Sequence, residues 1–158
     1  MEIKIIEDAL FAAIAAIGFS SISRLPRRAY PYCAVIAALG HSLRLVLMTA
    51  CSVHIVPATL LASFFIGTLS VLLSPFAKTP PEACFFPSLL PMIPGIYAYR
   101  AFGALGACIF SGGSPEFGLD FYRFAYNGLV CSAVLLAMVT GATVPVFVFK
   151  KISFRATR

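Results

Sequence analysis

Apolar residues come in five long, nearly unbroken runs, at about residues 5–23, 31–50, 56–77, 85–110 and 125–149. Polar residues and turn formers collect between them, as Arg24-Leu25-Pro26-Arg27-Arg28, Lys78-Thr79-Pro80-Pro81-Glu82 and Ser111-Gly112-Gly113-Ser114-Pro115-Glu116. A helix needs about 20 apolar residues to cross a hydrocarbon core about 30 Å thick. Each run is of that order. None shows the alternating segments of about ten residues expected of a membrane β-barrel. The pattern predicts an all-α integral membrane protein with about five transmembrane helices. With no linker or low-complexity stretch, residues 1–158 read as a single domain.

The fourth run differs from the others. It reads Pro87-Ser88-Leu89-Leu90-Pro91-Met92-Ile93-Pro94-Gly95-Ile96-Tyr97-Ala98-Tyr99-Arg100. Prolines remove amide donors and clash with the preceding turn, and glycine loosens the backbone further. The expected result is two half-helices with a break at Pro91-Pro94-Gly95, with a simple proline kink and a packed tyrosine pair as the alternative. Backbone groups freed inside a bilayer are tolerated where protein or a wet cavity satisfies them. Small residues recur at four-residue spacing as Ala12/Ala16, Gly103/Ala107 and Ala133/Ala137/Gly141, as expected of closely packed membrane helices.

Composition sharpens this picture. Sixty percent of the 158 residues are hydrophobic, 11% are charged and the mean hydropathy is +0.94. Ordinary soluble domains carry about 25% charged residues, and a chain this short has too little interior to hide so much apolar surface. A soluble enzyme, a disordered tail and a nucleic-acid-binding module are all excluded. The net charge of +6 concerns orientation instead. Five spans put Arg24, Arg27, Arg28, Lys78, Lys150, Lys151, Arg155 and Arg158 on one side. Lys4 and Arg123 fall on the other, and Arg44 and Arg100 inside spans. The positive-inside rule then places the N-terminus outside and the C-terminus in the cytoplasm. The acidic opening, with Glu2, Glu7 and Asp8, is the wrong charge for a signal peptide, so the first span is expected to be retained.

Little in the chain suits covalent chemistry. The cysteines Cys33, Cys51, Cys84, Cys108 and Cys131 form no CxxC pair and behave as small apolar residues in these runs. With only His41 and His54 beside them, no metal site or cofactor is expected. The chain has no phosphate loop and no carboxylate pair within a span.

The costly residues carry the functional reading. An ionised side chain in mid-membrane costs at least about 2.5 kcal/mol on insertion scales. Arg44 lies in the second run with His41 one turn before it, in Gly40-His41-Ser42-Leu43-Arg44. Arg44 is read as a cationic wall for an anionic substrate, as a cap on carbonyls of a broken neighbour, or as a side chain that snorkels outward. In the fourth run Tyr97 and Arg100 follow the break on one face. A half-helix N-terminus there offers free amides and a positive dipole end to a carboxylate. The expected binding residues are His41, Arg44, Pro94, Gly95, Tyr97 and Arg100, and the expected ligand a small anion or zwitterion. Glu7 and Asp8 read as solvated interfacial charges, with pairing to the arginines or proton relay as the alternative. Glu82 reads as solvated, and Asp120 with Arg123 as a surface pair.

The strings Arg24-Leu25-Pro26-Arg27-Arg28-Ala29, Gly40-His41-Ser42-Leu43-Arg44 and Leu90-Pro91-Met92-Ile93-Pro94-Gly95-Ile96-Tyr97-Ala98-Tyr99 resemble the threonine/serine exporter (ThrE) family. The likeness is to its small, YjjB-like half and covers nearly the whole chain. It implies one transmembrane half of a bacterial inner-membrane secondary transporter for small amino acids or dicarboxylates such as succinate. It also implies a larger YjjP-like membrane subunit as partner. A non-transporting assembly subunit and a homo-oligomeric anion channel are the alternatives.

Overall fold

The computed structural model describes residues 2–110, 112 and 114–149. Lys150, Lys151, Arg155 and Arg158, half of the basic residues assigned to the cytoplasmic side, lie outside the described residues, as do Ser111 and Gly113 of the last connection.

Six α-helices follow in order, and no strand occurs among the described residues: α1 Glu2–Ile22, α2 Tyr30–Thr49, α3 Ile55–Ala77, α4 Pro81–Leu89, α5 Gly95–Phe110 and α6 Phe117–Val148. Single 3-10 turns sit at Arg27–Ala29 and Leu90–Met92. Helices α1 (with its 3–22 stretch), α2, α3 and α6 are each long and apolar enough to cross a membrane. The bent pair of α4 and α5 adds a fifth candidate if it counts as one span. The protein is an all-helical, multi-pass membrane protein.

Local chemistry sets the boundaries. Pro31 in the first turn of α2 needs no amide partner. His54 caps α3 by accepting from the Val56 amide at 3.4 Å. Lys78 ends α3 in the left-handed region at φ 50°, and its own carbonyl accepts from the Arg28 guanidinium at 3.3 Å. Helix α4 begins four residues before the apolar run, because Pro81 suits a first-turn position and Glu82 complements the helix dipole there. For the same reason α6 begins at Phe117 instead of near residue 125, with Asp120 in its first turn. Hydropathy registers where a helix enters apolar surroundings, not where it starts.

The chain divides into two compact units, Met1–Met92 with Ala137–Arg158, and Ile93–Leu136. In the first, Ala12 and Ala16 of α1 pack with Ala37 of α2 in one buried cluster. Gly40 of α2 admits the Ile66 side chain of α3, where a Cβ would collide. Gly67 of α3 lies against the Ala142 backbone of α6, and a Cβ on Gly141 would stand 2.7 Å from the Leu60 carbonyl oxygen. Several buried hydroxyls donate to helix carbonyls, whereas Thr59 Oγ1 is buried without a partner among the described residues. Ser63 donates to the Leu60 and Ala137 carbonyls at 3.0 Å, Ser70 to Ile66 at 2.8 Å and Ser20 to Ala16 at 2.7 Å. Large apolar side chains such as Leu10, Phe11, Ile14, Leu61 and Phe64 remain exposed, the pattern of a surface solvated by lipid. The second unit comprises α5 and the first twenty residues of α6.

Candidate functional site

Three helical segments of the first unit bring their polar groups to one place. Asp8 lies six residues into α1, about 9 Å along its axis at 1.5 Å per residue. Its carboxylate meets His41 Nδ1 of α2. The side chains of His41 and Asp8 are 16% and 27% exposed, so water is largely kept from the pair. One turn further along α2, Arg44 donates through one guanidinium nitrogen to the Met92 carbonyl at 2.8 Å. Its other terminal nitrogen stands 3.1 Å from His41 Nε2. The Pro91 carbonyl lies 3.3 Å from the same Nε2.

The broken fourth run explains why those carbonyls are available. Beyond Leu89 the chain makes one 3-10 turn, Leu90–Met92, before α5 restarts at Gly95. In a continuous helix the Pro91 carbonyl would accept from the Gly95 amide, which here donates to Ile93 at 2.8 Å, and Pro94 has no amide to offer the Leu90 carbonyl. In an apolar interior such groups need partners. Arg44 and His41 face them.

His41 Nε2 therefore has two neighbours of opposite kind. With Nδ1–H donated to Asp8, a neutral imidazole leaves Nε2 as an acceptor, suited to Arg44 and unsuited to the Pro91 oxygen. A protonated imidazole carries Nε2–H, suited to Pro91 and repelled by Arg44. With a neutral ring the charges of Asp8 and Arg44 cancel. One added proton leaves the cluster at +1.

Of the six residues expected to bind a ligand, His41 and Arg44 are thus joined in the first unit. Pro94 is buried and Gly95 exposed at the start of α5. The amides of Gly95, Tyr97 and Ala98 are taken up locally, by Ile93 at 2.8 Å and by Pro94 at 3.1 and 3.2 Å. Gly95 has open space around its Cα. Tyr97 is half-buried and Arg100 exposed, and neither side chain has a hydrogen bond among the described residues.

The second unit carries a groove of about 590 Å3 between α5 and the N-terminal part of α6. Tyr99, Arg100 and Gly103 line it from α5, and Asp120, Arg123 and Asn127 from α6. Tyr99, not Tyr97, shares the groove with Arg100. The expected Asp120–Arg123 pair is present at 3.4 Å, and Asn127 Nδ2 donates to the Arg123 carbonyl at 2.6 Å.

Sequence reasoning read Asp8 first as an interfacial charge, with pairing or proton relay as the alternative, and did not single out Asn127. Spacing gives no sign of Asp8, because its partner is 33 residues away on another helix. Asn127 stands out as a buried amide in an apolar segment.

The model of a family described as threonine/serine exporter, ThrE, matches residues 8–148. An uncharacterized protein of Haemophilus influenzae is 36% identical over 147 residues, covering 93% of this chain and 48% of that protein. The chain spans about half the length of this curated relative. No solved structure matches the chain.

Proposed function

The chain belongs to the threonine/serine exporter family, a family of transporters and not of enzymes, and from that membership we propose that it is one half of a proton-responsive exporter of small carboxylate-bearing metabolites. The cargo is an amino acid of the threonine and serine kind, or a dicarboxylate such as succinate. The membrane is the bacterial inner membrane, with the N-terminus outside and the C-terminus in the cytoplasm. A larger YjjP-like subunit supplies the other half. The 48% coverage of a longer relative supports this division.

One observation carries the mechanism: Asp8 holds His41, and His41 and Arg44 face the Pro91 and Met92 carbonyls of a broken helix. Protonation of His41 exchanges its Nε2 partner from Arg44 to the Pro91 carbonyl. That frees one guanidinium nitrogen and raises the local charge to +1, so a carboxylate neutralises the proton it accompanies. Loss of the proton restores the Arg44–His41 contact and expels the anion. A broken helix suits this role, since its two arms are not tied by one continuous hydrogen-bond ladder.

A second reading rests on the 2.8 Å bond from Arg44 to the Met92 carbonyl. On that view Arg44 is a brace and the chain a non-transporting assembly subunit. Export from cells expressing Arg44→Lys separates the two. Lysine keeps the charge and one donor for Met92, but lacks the planar fork that also reaches His41. A brace predicts normal export per assembled complex. The exchange mechanism predicts impaired export at normal abundance.

A further inference from the structure

Cys33 of α2 and Cys84 of α4 are wholly buried, and their thiols meet across the contact between the two helices. Each is the fourth residue of its helix. Polar groups surround the sulfurs. Ser20 of α1 also contacts the Cys33 thiol, and Thr79 Oγ1 lies 3.2 Å from Cys84 Sγ. The Ser88 hydroxyl reaches the Cys84 carbonyl at 2.8 Å and the Cys33 carbonyl at 3.0 Å, which ties the two backbones together at this level. A single buried cysteine packs as a small apolar residue. Two in contact have a reaction open to them. The pair also lies in register with the cluster of Asp8, His41 and Arg44. Cys33 precedes His41 by eight residues and Cys84 precedes Pro91 by seven, about 10–12 Å of helix in each case at 1.5 Å per residue. Whatever fixes Cys33 to Cys84 therefore holds the arm leading to the Pro91 and Met92 carbonyls against the helix that carries His41 and Arg44.

We propose that Cys33 and Cys84 form a reversible oxidation site, whose disulfide pins α4 to α2 and holds the helix break closed on His41 and Arg44. The oxidant is a small neutral hydroperoxide, a class of molecule that suits a buried pair. Its O–O bond breaks as one thiol becomes a sulfenic acid, and the neighbouring thiol then displaces the hydroxyl as water, forming the S–S bond. Both thiol protons and two electrons leave with the oxidant, so hydrogen peroxide yields two waters. A second thiol in contact captures the sulfenic acid before it oxidises further. On the proposed topology this end of the helices faces the cytoplasm, whose thiol pool keeps the resting pair reduced. A disulfide holds its two Cα atoms within about 7 Å, so the oxidised chain cannot part α4 from α2 here. The effect on export rests on the exporter function proposed above, whereas formation of the disulfide does not.

The full chain in detergent is treated with hydrogen peroxide, its remaining thiols are blocked, and a non-reducing digest is mapped by mass spectrometry. Peptides joined through Cys33 and Cys84 should appear, and should vanish when dithiothreitol is added before blocking. The thermal unfolding midpoint of the treated chain should rise, and should not rise in Cys33→Ser or Cys84→Ser. Recovery of both residues as thiols, or of either joined to Cys51, Cys108 or Cys131 instead, overturns the site. Export is scored separately, in cells carrying this chain and the larger subunit. Peroxide should cause a severalfold loss of export that a reductant reverses. Cys33→Ser and Cys84→Ser, which replace sulfur by a hydroxyl of similar size, should keep exporting after the same dose. Equal loss in these variants and in the natural chain places the damage elsewhere and overturns the lock. If no export is measurable before peroxide is added, the exporter function fails, and the peptide map still decides whether the pair is an oxidation site.

Discussion

Arg44 gives one nitrogen to the Met92 carbonyl and holds another 3.1 Å from His41, so its removal acts twice. Arg44→Met fills similar space without a donor and leaves a carbonyl of the break unpaired. It should lower the stability of the purified chain by about 1–3 kcal/mol, read from thermal unfolding in detergent. Asp8→Asn and His41→Gln should not be additive. Their double-mutant cycle should give a coupling of about 0.5–2 kcal/mol, the range of polar contacts between membrane helices. Because the proposed mechanism turns on the exchange of Nε2 partners, His41→Gln should flatten the pH dependence of export, and an unchanged profile at normal abundance removes His41 from coupling. The sequence revealed His41 and Arg44 because charge inside an apolar run is conspicuous. It did not separate Asp8 from its neighbour Glu7, which resembles it in every local respect. A step of one residue turns about 100° around a helix, which leaves Glu7 exposed and brings Asp8 to His41.

Whole elements were more legible than single contacts. The first three helices lie within one residue of the apolar runs at most ends, and the break in the fourth run follows directly from the chemistry of proline. The early starts of α4 and α6 were hidden because a polar first turn lowers hydropathy while favouring the helix. Small residues spaced four apart were visible too, but not which of them are in contact. Gly67 and Gly141 are pressed against another backbone, whereas Gly103 and Gly106 have nothing within 4 Å. Gly67→Ala should cost about 1–3 kcal/mol by overpacking α3 against α6. Gly106→Ala should be neutral or stabilising by up to about 1 kcal/mol, because alanine favours the helix. Equal effects at the two positions, measured by thermal unfolding, contradict the close α3–α6 contact.

At the scale of the molecule, the first unit holds a cluster of Asp8, His41 and Arg44 at a helix break, and the second a groove lined by Arg100, Asp120 and Arg123. Topology follows from the loops. The contact between Arg28 and Lys78 gathers basic residues of two connections at one end of the first unit, as five spans require. Labelling of single cysteines should find position 4 outside and position 158 in the cytoplasm, by the positive-inside rule. Both on the same side contradicts an odd number of spans. The proposed division into halves has a sharper consequence still, and threonine and succinate export from cells is the direct measurement. Cells carrying the chain alone, the larger subunit alone, both, or neither are compared at matched membrane abundance. The predicted result is export above background only when both are present. Robust export by this chain alone, in cells or after reconstitution in liposomes, would contradict the division into halves.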